Sequence, residues 1–505
     1  MWDKFRSVVL CAALIIPQIA GAQDVTLTAR EGGLSISGAL QGFDGEFYRI
    51  DSRYGLLTVD ASGVICEGPA CPDLTAPRAD IRVTGLPGVG EALLPPLFQA
   101  YAKARGLRYV DQSTETQYRA QLLDPETEKP LADISFSPDT LEEARQSLLA
   151  GRADLALAAA VEPGLGSRAV ALDAMVPIVA PENLTPEIST RDLARVLAGD
   201  VENWAAIGGP DMPIVLHGLA ADEPLQRALS ARLGRALQPA VVHPDLASLG
   251  AAVAADPWGL AVTVRAGARG VRLLPMTDSC GFPLLPSPLA VKAEDYPLAL
   301  PFYFLTPKRR LPLMVREFLE FLATPLAQNA VAAAGFIDRQ PERQPMTADG
   351  LRLINAIQGA GAETSLADLK RLVDVMDGAD RLSLTFRFQD GSSTLDAHSR
   401  DNLADLARLI EAGVLQGKAL ILAGFSDGSG PAAANLALSQ DRAAGVLAQL
   451  KALAPTMAET QIPQVIGFGE ALPMACDETT AGRRLNRRVE VWLRPVFTNS
   501  PATGN

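Results

Sequence analysis

Hydrophobic and polar positions change period along the chain. From Gln23 to about Pro72 they alternate every second residue, as in "VTLTAREGGLSISGAL" and "EFYRIDSRYGLLTVD", with Gly, Asp and Ser between the runs. That alternation predicts strands joined by turns. From about Arg78 to Pro341, strand-like and helix-like runs take turns. "ADIRVTG" reads as a strand and "PPLFQAYAKARG" as a helix, with Pro96 in its first turn and Gly106 at its stop. "LEEARQSLLAGR", "ADLALAAA", "TRDLARVLAG", "MPIVLHG" and "GLAVTV" continue the series, which predicts an α/β unit with mostly parallel strands. Two helices near Leu311–Ala323 and Pro325–Ala334 close it. Gln340 to about Asp380 is spotted with Pro and Gly around "LRLINAIQGAG" and "LADLKRLVDVM", and predicts a semi-rigid helical connector. A last βαβ series runs from "RLSLTFRF" through "ALILAGFSD" and "NLALSQDRAAGVLAQLKAL" to "RRVEVWLRP".

Composition narrows the class. A chain of 505 residues with 48% hydrophobic and 20% charged residues can bury several cores. The net charge is −13 and no block of five or six basic residues occurs, so nucleic acid and anionic membrane are excluded as general partners. Lys4 and Arg6, the apolar run Val8–Ala20 and the small-x-small site Ala20-Gly21-Ala22 predict a signal peptide. Cys11 is preceded by Leu10, where a lipidation site needs a small residue. No later run of about 18 apolar residues predicts a membrane span. The expected product is exported, periplasmic and without a transmembrane segment.

Export gives the cysteines a meaning. Cys66 and Cys71 flank the turn-rich Glu67-Gly68-Pro69-Ala70 and are expected to form a disulfide, since no histidine stands near to complete a metal site. Cys280 and Cys476 lie far apart in sequence, and either pair or stay free.

One motif raises a catalytic question. Gly424-Phe425-Ser426-Asp427-Gly428 fits the G-x-S-x-G elbow of serine hydrolases, which places the acid and then the histidine after the serine. All three histidines, His217, His243 and His398, precede Ser426. HExxH, CxxC and P-loop patterns are absent as well, so neither catalysis, a metal nor a cofactor is expected.

The wider spacing around that motif carries a resemblance. Phe386 and Gly391-Ser392-Ser393 open the segment, and Asp427, Asn435, Leu438-Ser439 and Arg442-Ala443 follow. Gly467-Phe468-Gly469-Glu470, Pro473 and Asn486-Arg487-Arg488-Val489-Glu490 complete it. The set resembles OmpA-like peptidoglycan-binding domains over about Arg381 to Arg494. The resemblance implies that Asp427 takes the ammonium and Arg442 the carboxylate of diaminopimelate. Asn435 and Asn486 would support the pocket, and Arg487 or Arg488 would add a donor. On physical grounds, such a zwitterion needs one fixed anion and one fixed cation, and an arginine offers a two-pronged donor.

"GRADLALAAA", "ALDAMVPIVAPEN" and "LARVLAGDVENWAAIGG" resemble the phosphate-type periplasmic solute-binding proteins, which implies two α/β lobes and a cleft. The anion-binding elements depart from that pattern. Ala158-Ala159-Ala160-Val161 and His217-Gly218-Leu219-Ala220-Ala221-Asp222-Glu223 stand where hydroxyls and an arginine are expected. Two expectations follow. Thr84, Gly88, Val89, Gly90 and His217 hold a small anion, or the unit serves as a sensor or docking module. The overall expectation is a multidomain α/β protein divided as follows: signal peptide 1–22, β module 23–75, two-lobed solute-binding-like domain 78–340, connector 341–378, OmpA-like α+β domain 379–496 and disordered tail 497–505. The expected partners are peptidoglycan and either a small anion or an envelope protein.

Overall fold

The computed structural model describes residues 25–495 apart from 31, 44–46, 72–78, 115–116, 359, 361–363 and 390–391. The expected signal peptide, the expected tail and Gly391 lie outside the described residues. Two compact units separate: Met1–Ala79 with Leu311–Phe318, and Asp80–Arg310 with Leu319–Asn505.

The first unit is an antiparallel sheet of β1 (Val25–Ala29), β2 (Ser35–Phe43), β3 (Phe47–Ser52), β4 (Gly55–Asp60) and β5 (Val64–Glu67), in the order β4-β3-β2-β1-β5. Alternation turns Val25, Leu27, Leu40, Tyr48 and Ile50 inward. Cys66 and Cys71 form the expected disulfide, with Cα atoms 5.7 Å apart, and pack on that cluster.

The second unit begins with β6 (Ala79–Gly85), α1 (Pro87–Ala104), β7 (Arg108–Asp111), β8 (Arg119–Leu123), β9 (Pro130–Pro138), α2 (Leu141–Leu149), β10 (Leu155–Ala158) and β11 (Gly166–Val179). It continues with β12 (Ile188–Ser189), α3 (Thr190–Leu197), β13 (Val215–Leu219), α4 (Pro224–Leu233), β14 (Val241–His243), α5 (Leu246–Ala255) and β15 (Gly259–Val264). Then come β16 (Arg272–Leu273), β17 (Met276–Thr277), β18 (Pro283–Leu284), α6 (Pro288–Lys292), β19 (Ala299–Thr306), α7 (Leu313–Phe321), of which residues 313–318 belong to the first unit, and α8 (Pro325–Ala333). The sheet order is β14-β13-β15-β11-β19-β10-β6-β9-β8-β7. The expectation of mostly parallel strands needs correction. β6–β10, β13–β14 and β13–β15 are parallel, but β11 runs antiparallel to both β15 and β19. The long apolar run of β11 is buried continuously from Ala169 to Val179. Such a run looks the same in a parallel or an antiparallel setting when both faces are covered.

The C-terminal part holds β20 (Arg343–Pro345), α9 (Gly350–Gln358), α10 (Leu366–Met376), β21 (Asp380–Arg387), α11 (Ala397–Glu411), β22 (Lys418–Phe425), α12 (Ala432–Leu453), β23 (Gln464–Gly467), α13 (Thr480–Asn486) and β24 (Arg488–Pro495). Its sheet runs β20-β21-β24-β22-β23. On one face α11 and α12 bury Leu403, Leu406, Ile410, Val446 and Leu450 against Leu384, Leu422, Val489 and Val491. On the other, Leu372 and Met376 of α10 meet Ile421, Phe425 and Trp492. Within the expected connector 341–378, β20 therefore joins the sheet, and α9 and α10 pack on its second face instead of linking two domains. Their apolar stripe is the ordinary stripe of a core-facing helix. Among the described residues no helix is long and apolar enough to cross a membrane.

Candidate functional site

β22 ends at Phe425, and α12 lies so close to it that a Cβ on Gly424 would fall 2.0 Å from the Ser439 carbonyl oxygen. Gly424 thus admits the helix; the turn itself comes after it. Gly428 is constrained less severely, since a Cβ there would come within 2.7 Å of the Asp477 and Glu470 carboxylates, which are side-chain ends. Between them, Ser426 is buried, and its Oγ has no hydrogen-bond partner among the described residues. His398 is buried in α11, with Nε2 3.4 Å from the Lys292 carbonyl, and the cap is Asp396.

Asp427 and Arg442 come to one place. Asp427 Oδ2 accepts from Arg487 Nη1 at 2.8 Å, and Asp427 Oδ1 accepts from the Ser429 N–H at 3.2 Å. Arg442 sits on α12, with Cζ 5.6 Å from the Phe388 ring centroid. Its Nη1 is buried with no hydrogen-bond partner among the described residues. Burial lowers the Arg442 pKa, the nearby Arg487 lowers it further, and Asp427 partly offsets both. Leu438, Asp441, Arg442 and Gly445 follow helical spacing and line a groove of about 570 Å³ with Phe388, Ser392, Ser393 and Arg487. Asp427 is not part of that lining and meets it through its bond to Arg487.

The supporting residues divide. Asn486 is buried; its Oδ1 accepts from the Met474 and Ala475 N–H groups at 2.6 and 3.0 Å. Its Nδ2 donates to the Ala475 carbonyl and to Asp477 Oδ1, both at 2.7 Å. Asn435 is buried, with Nδ2 3.4 Å from the Gly430 carbonyl. Both brace loops beside the groove. Arg488 requires correction as a ligand donor. It is fully buried, donates to Glu490 Oε1 at 2.7 Å and to the Leu472 carbonyl at 2.8 Å, and lies 4.3 Å over the Phe425 ring. Burial, partly offset by Glu490, brings its pKa down to about 10. Neighbouring residues entering a strand face opposite ways, so only Arg487 reaches the groove.

Sequence reasoning missed what surrounds Arg488. Glu490 accepts from Arg352 at 2.6 Å and from Trp492 Nε1 at 3.0 Å, and pairs with Arg381 at 3.4 Å. Arg381 and Arg387 also grip Asp295, at 2.7 and 3.0 Å, tying the solute-binding-like part to the C-terminal sheet. Asp477, which holds Gly428 N–H at 2.6 Å, was missed too. Its only signal is a place in "CDETTAG", at a helix start.

The expected solute residues are largely occupied. Thr84 is buried and its hydroxyl donates to Asp139 Oδ2. Gly90 N–H donates to the Leu86 carbonyl at 2.9 Å, and its α-carbon is packed under the Phe136 ring. Gly88 and Val89 occupy the first turn of α1, where N–H groups lack intrahelical acceptors. His217 is the clearest correction. Its Nδ1 bonds His243 Nε2 at 2.9 Å and its Nε2 bonds Asp256 Oδ2 at 3.0 Å, which leaves neither nitrogen for a solute. A buried imidazole on a central strand finds internal partners, and here they come from the next strand and the end of α5.

Residues 387–487 match the OmpA family, and residues 75–325 match a PBP superfamily domain. The chain joins a PBP superfamily domain to a C-terminal OmpA family domain. A stretch of 54 residues is 37% identical to the phosphate-binding protein PstS of Borreliella burgdorferi. It covers 11% of this chain and 19% of that relative's length. Among solved structures, an ABC-type phosphate transport receptor from Vibrio cholerae is similar at 17% identity and a TM-score of 0.41, over 51% of this chain and 99% of the other. PstS from Borrelia burgdorferi is similar at 15% identity and a TM-score of 0.39, over 52% and 99%.

Proposed function

We propose that the chain is held non-covalently on peptidoglycan in the periplasm, the groove beside α12 receiving the diaminopimelate end of a stem peptide. The observation that carries this reading is the half-buried Arg442 side chain at the groove wall, whose Nη1 is buried and unpartnered among the described residues. A guanidinium nitrogen buried without an acceptor costs free energy, and a ligand carboxylate would supply one. Arg442 takes the ligand carboxylate. The ligand ammonium displaces Arg487 from Asp427, and Arg487 becomes a second donor to the carboxylate. Each such charge-assisted bond contributes about 1.5–3 kcal/mol. A weak single site suffices on a polymer, because rebinding raises retention. The reading includes no catalytic step.

The solute-binding-like part then acts as a sensor or docking module in the envelope. The occupied Thr84 and His217 support this over solute capture. The stretch similar to PstS favours a second reading, a wall-tethered receptor for phosphate. Co-sedimentation of the full chain with purified sacculi tests the first reading. Wild type is expected in the pellet, and Asp427→Ala and Arg442→Ala in the supernatant; equal pelleting of all three would refute the assignment. Calorimetric titration with phosphate tests the second: tight binding favours the receptor, and no heat favours the docking module.

A further inference from the structure

We infer that the Cys280–Cys476 disulfide positions the wall-binding groove, so that its redox state regulates the affinity of that site for the stem peptide. This rests on the groove being the stem-peptide site. The two cysteines left open by the sequence are joined, with Cα atoms 5.5 Å apart across a sequence separation of 196. Cys280 lies in the hairpin between β17 and β18, and Cys476 lies in the loop before α13. Asp278 fixes both sides. Its Oδ1 accepts from the Cys280 and Phe282 N–H groups at 2.9 and 2.8 Å, and its Oδ2 accepts from the Cys476 N–H at 2.6 Å.

From Cys476 the path to the charged groups is short. The next residue, Asp477, accepts from Gly428 N–H at 2.6 Å through Oδ2 and from Asn486 Nδ2 at 2.7 Å through Oδ1. Its carbonyl accepts from Arg483 Nη1 at 2.7 Å. Gly428 is covalently next to Asp427, and Asn486 is next to Arg487. One carboxylate therefore sets both halves of the Asp427–Arg487 pair, and the disulfide sets that carboxylate. Asp477 is a positioning residue that does not touch the ligand.

The chemistry is ordinary thiol–disulfide exchange. Cys280 is exposed and Cys476 is buried. A thiolate of an incoming dithiol attacks Cys280 Sγ, the S–S bond breaks, and Cys476 leaves as a thiolate that takes up a proton. The second thiol of the dithiol then attacks the mixed disulfide and releases Cys280 as a thiol. The dithiol ends as a disulfide, having supplied two electrons. Asp295 still holds Arg381 and Arg387 after this exchange, so the domains remain docked, while the 476–479 loop loses its covalent tie to the β17–β18 hairpin and keeps only its hydrogen bonds.

The test is calorimetric titration of the full chain with a diaminopimelate-containing tripeptide. Oxidised wild type is expected to bind, and Cys280→Ser to bind about five- to tenfold more weakly, the effect of losing one fixed hydrogen bond. Reduction by a dithiol should weaken wild type equally, while a Cys66→Ser/Cys71→Ser variant kept oxidised should bind as wild type. Asp477→Ala should be weak and insensitive to Cys280→Ser, and Asp477→Asn, which keeps an acceptor for Gly428 N–H, should recover part of the affinity. Unchanged binding by Cys280→Ser, or full additivity with Asp477→Ala, would overturn the inference and leave the groove assignment standing. No binding by oxidised wild type would overturn both.

Discussion

Glu490→Gln removes a fully buried carboxylate on the second face of the C-terminal sheet. Arg352, Arg381 and Arg488 all pair with it, at 2.6, 3.4 and 2.7 Å. Arg381 keeps Asp295 and Arg352 keeps Asp349 after the change, but Arg488 is left with carbonyls and the Phe425 face. Breaking a buried pair from one side costs about 3–5 kcal/mol, because the other charge stays buried. Glutamine retains one acceptor, which places the effect toward the lower figure. Hydrogen exchange of the full chain reads the loss locally, in peptides covering β22 and β24. A loss of about 3 kcal/mol corresponds to roughly a hundredfold faster exchange through opening of that core. A change below tenfold there would refute the claim that this network holds the sheet. The pH dependence has a definite sign. Burial alone would raise the Glu490 pKa, but the three guanidiniums hold it far below the usual carboxylate range. Its contribution is therefore complete above the unfolded value near 4.3 and is lost as pH falls from there toward the folded value. Glu490→Gln should abolish that part of the acid sensitivity.

Other outcomes are equally specific. Gly445 sits inside α12, lines the groove and has open space where a Cβ would stand. Gly445→Ala should stabilise the helix by about 0.5–1 kcal/mol, read by exchange in α12, whereas Gly445→Leu should fill the groove and lose sacculus binding. Arg487→Ala should weaken tripeptide binding in titration without changing exchange in β24; a collapse of that strand would give Arg487 the structural role assigned to Arg488. His217→Ala should leave any phosphate heat unchanged, and a loss of phosphate binding would contradict the placement of both its nitrogens.

The C-terminal motifs were legible because they are chemistry at fixed spacing. An aspartate just after a strand and an arginine on the next helix predict opposite charges near one loop, and both stand beside Arg487 in the structure. Arg487 and Arg488 were not separable by type, but strand alternation distinguishes them: Arg488, Glu490 and Trp492 share one face, and that face is covered by α10. The stripe of Leu369, Leu372 and Met376 announced a buried surface, yet nothing local names the sheet that receives it. The same limit applies to Cys280 and Cys476, whose meeting depends on how two domains dock. The internal pairing of His217 was not legible because its partners, His243 and Asp256, come from separate elements.

The most direct measurement is the calorimetric affinity of the oxidised full chain for a diaminopimelate tripeptide, beside the same peptide with lysine at that position. Lysine lacks the carboxylate assigned to Arg442, so binding should fall by at least about tenfold, and Arg442→Ala should erase the difference. Equal affinity for the two peptides, or a preference that survives Arg442→Ala, would contradict the account.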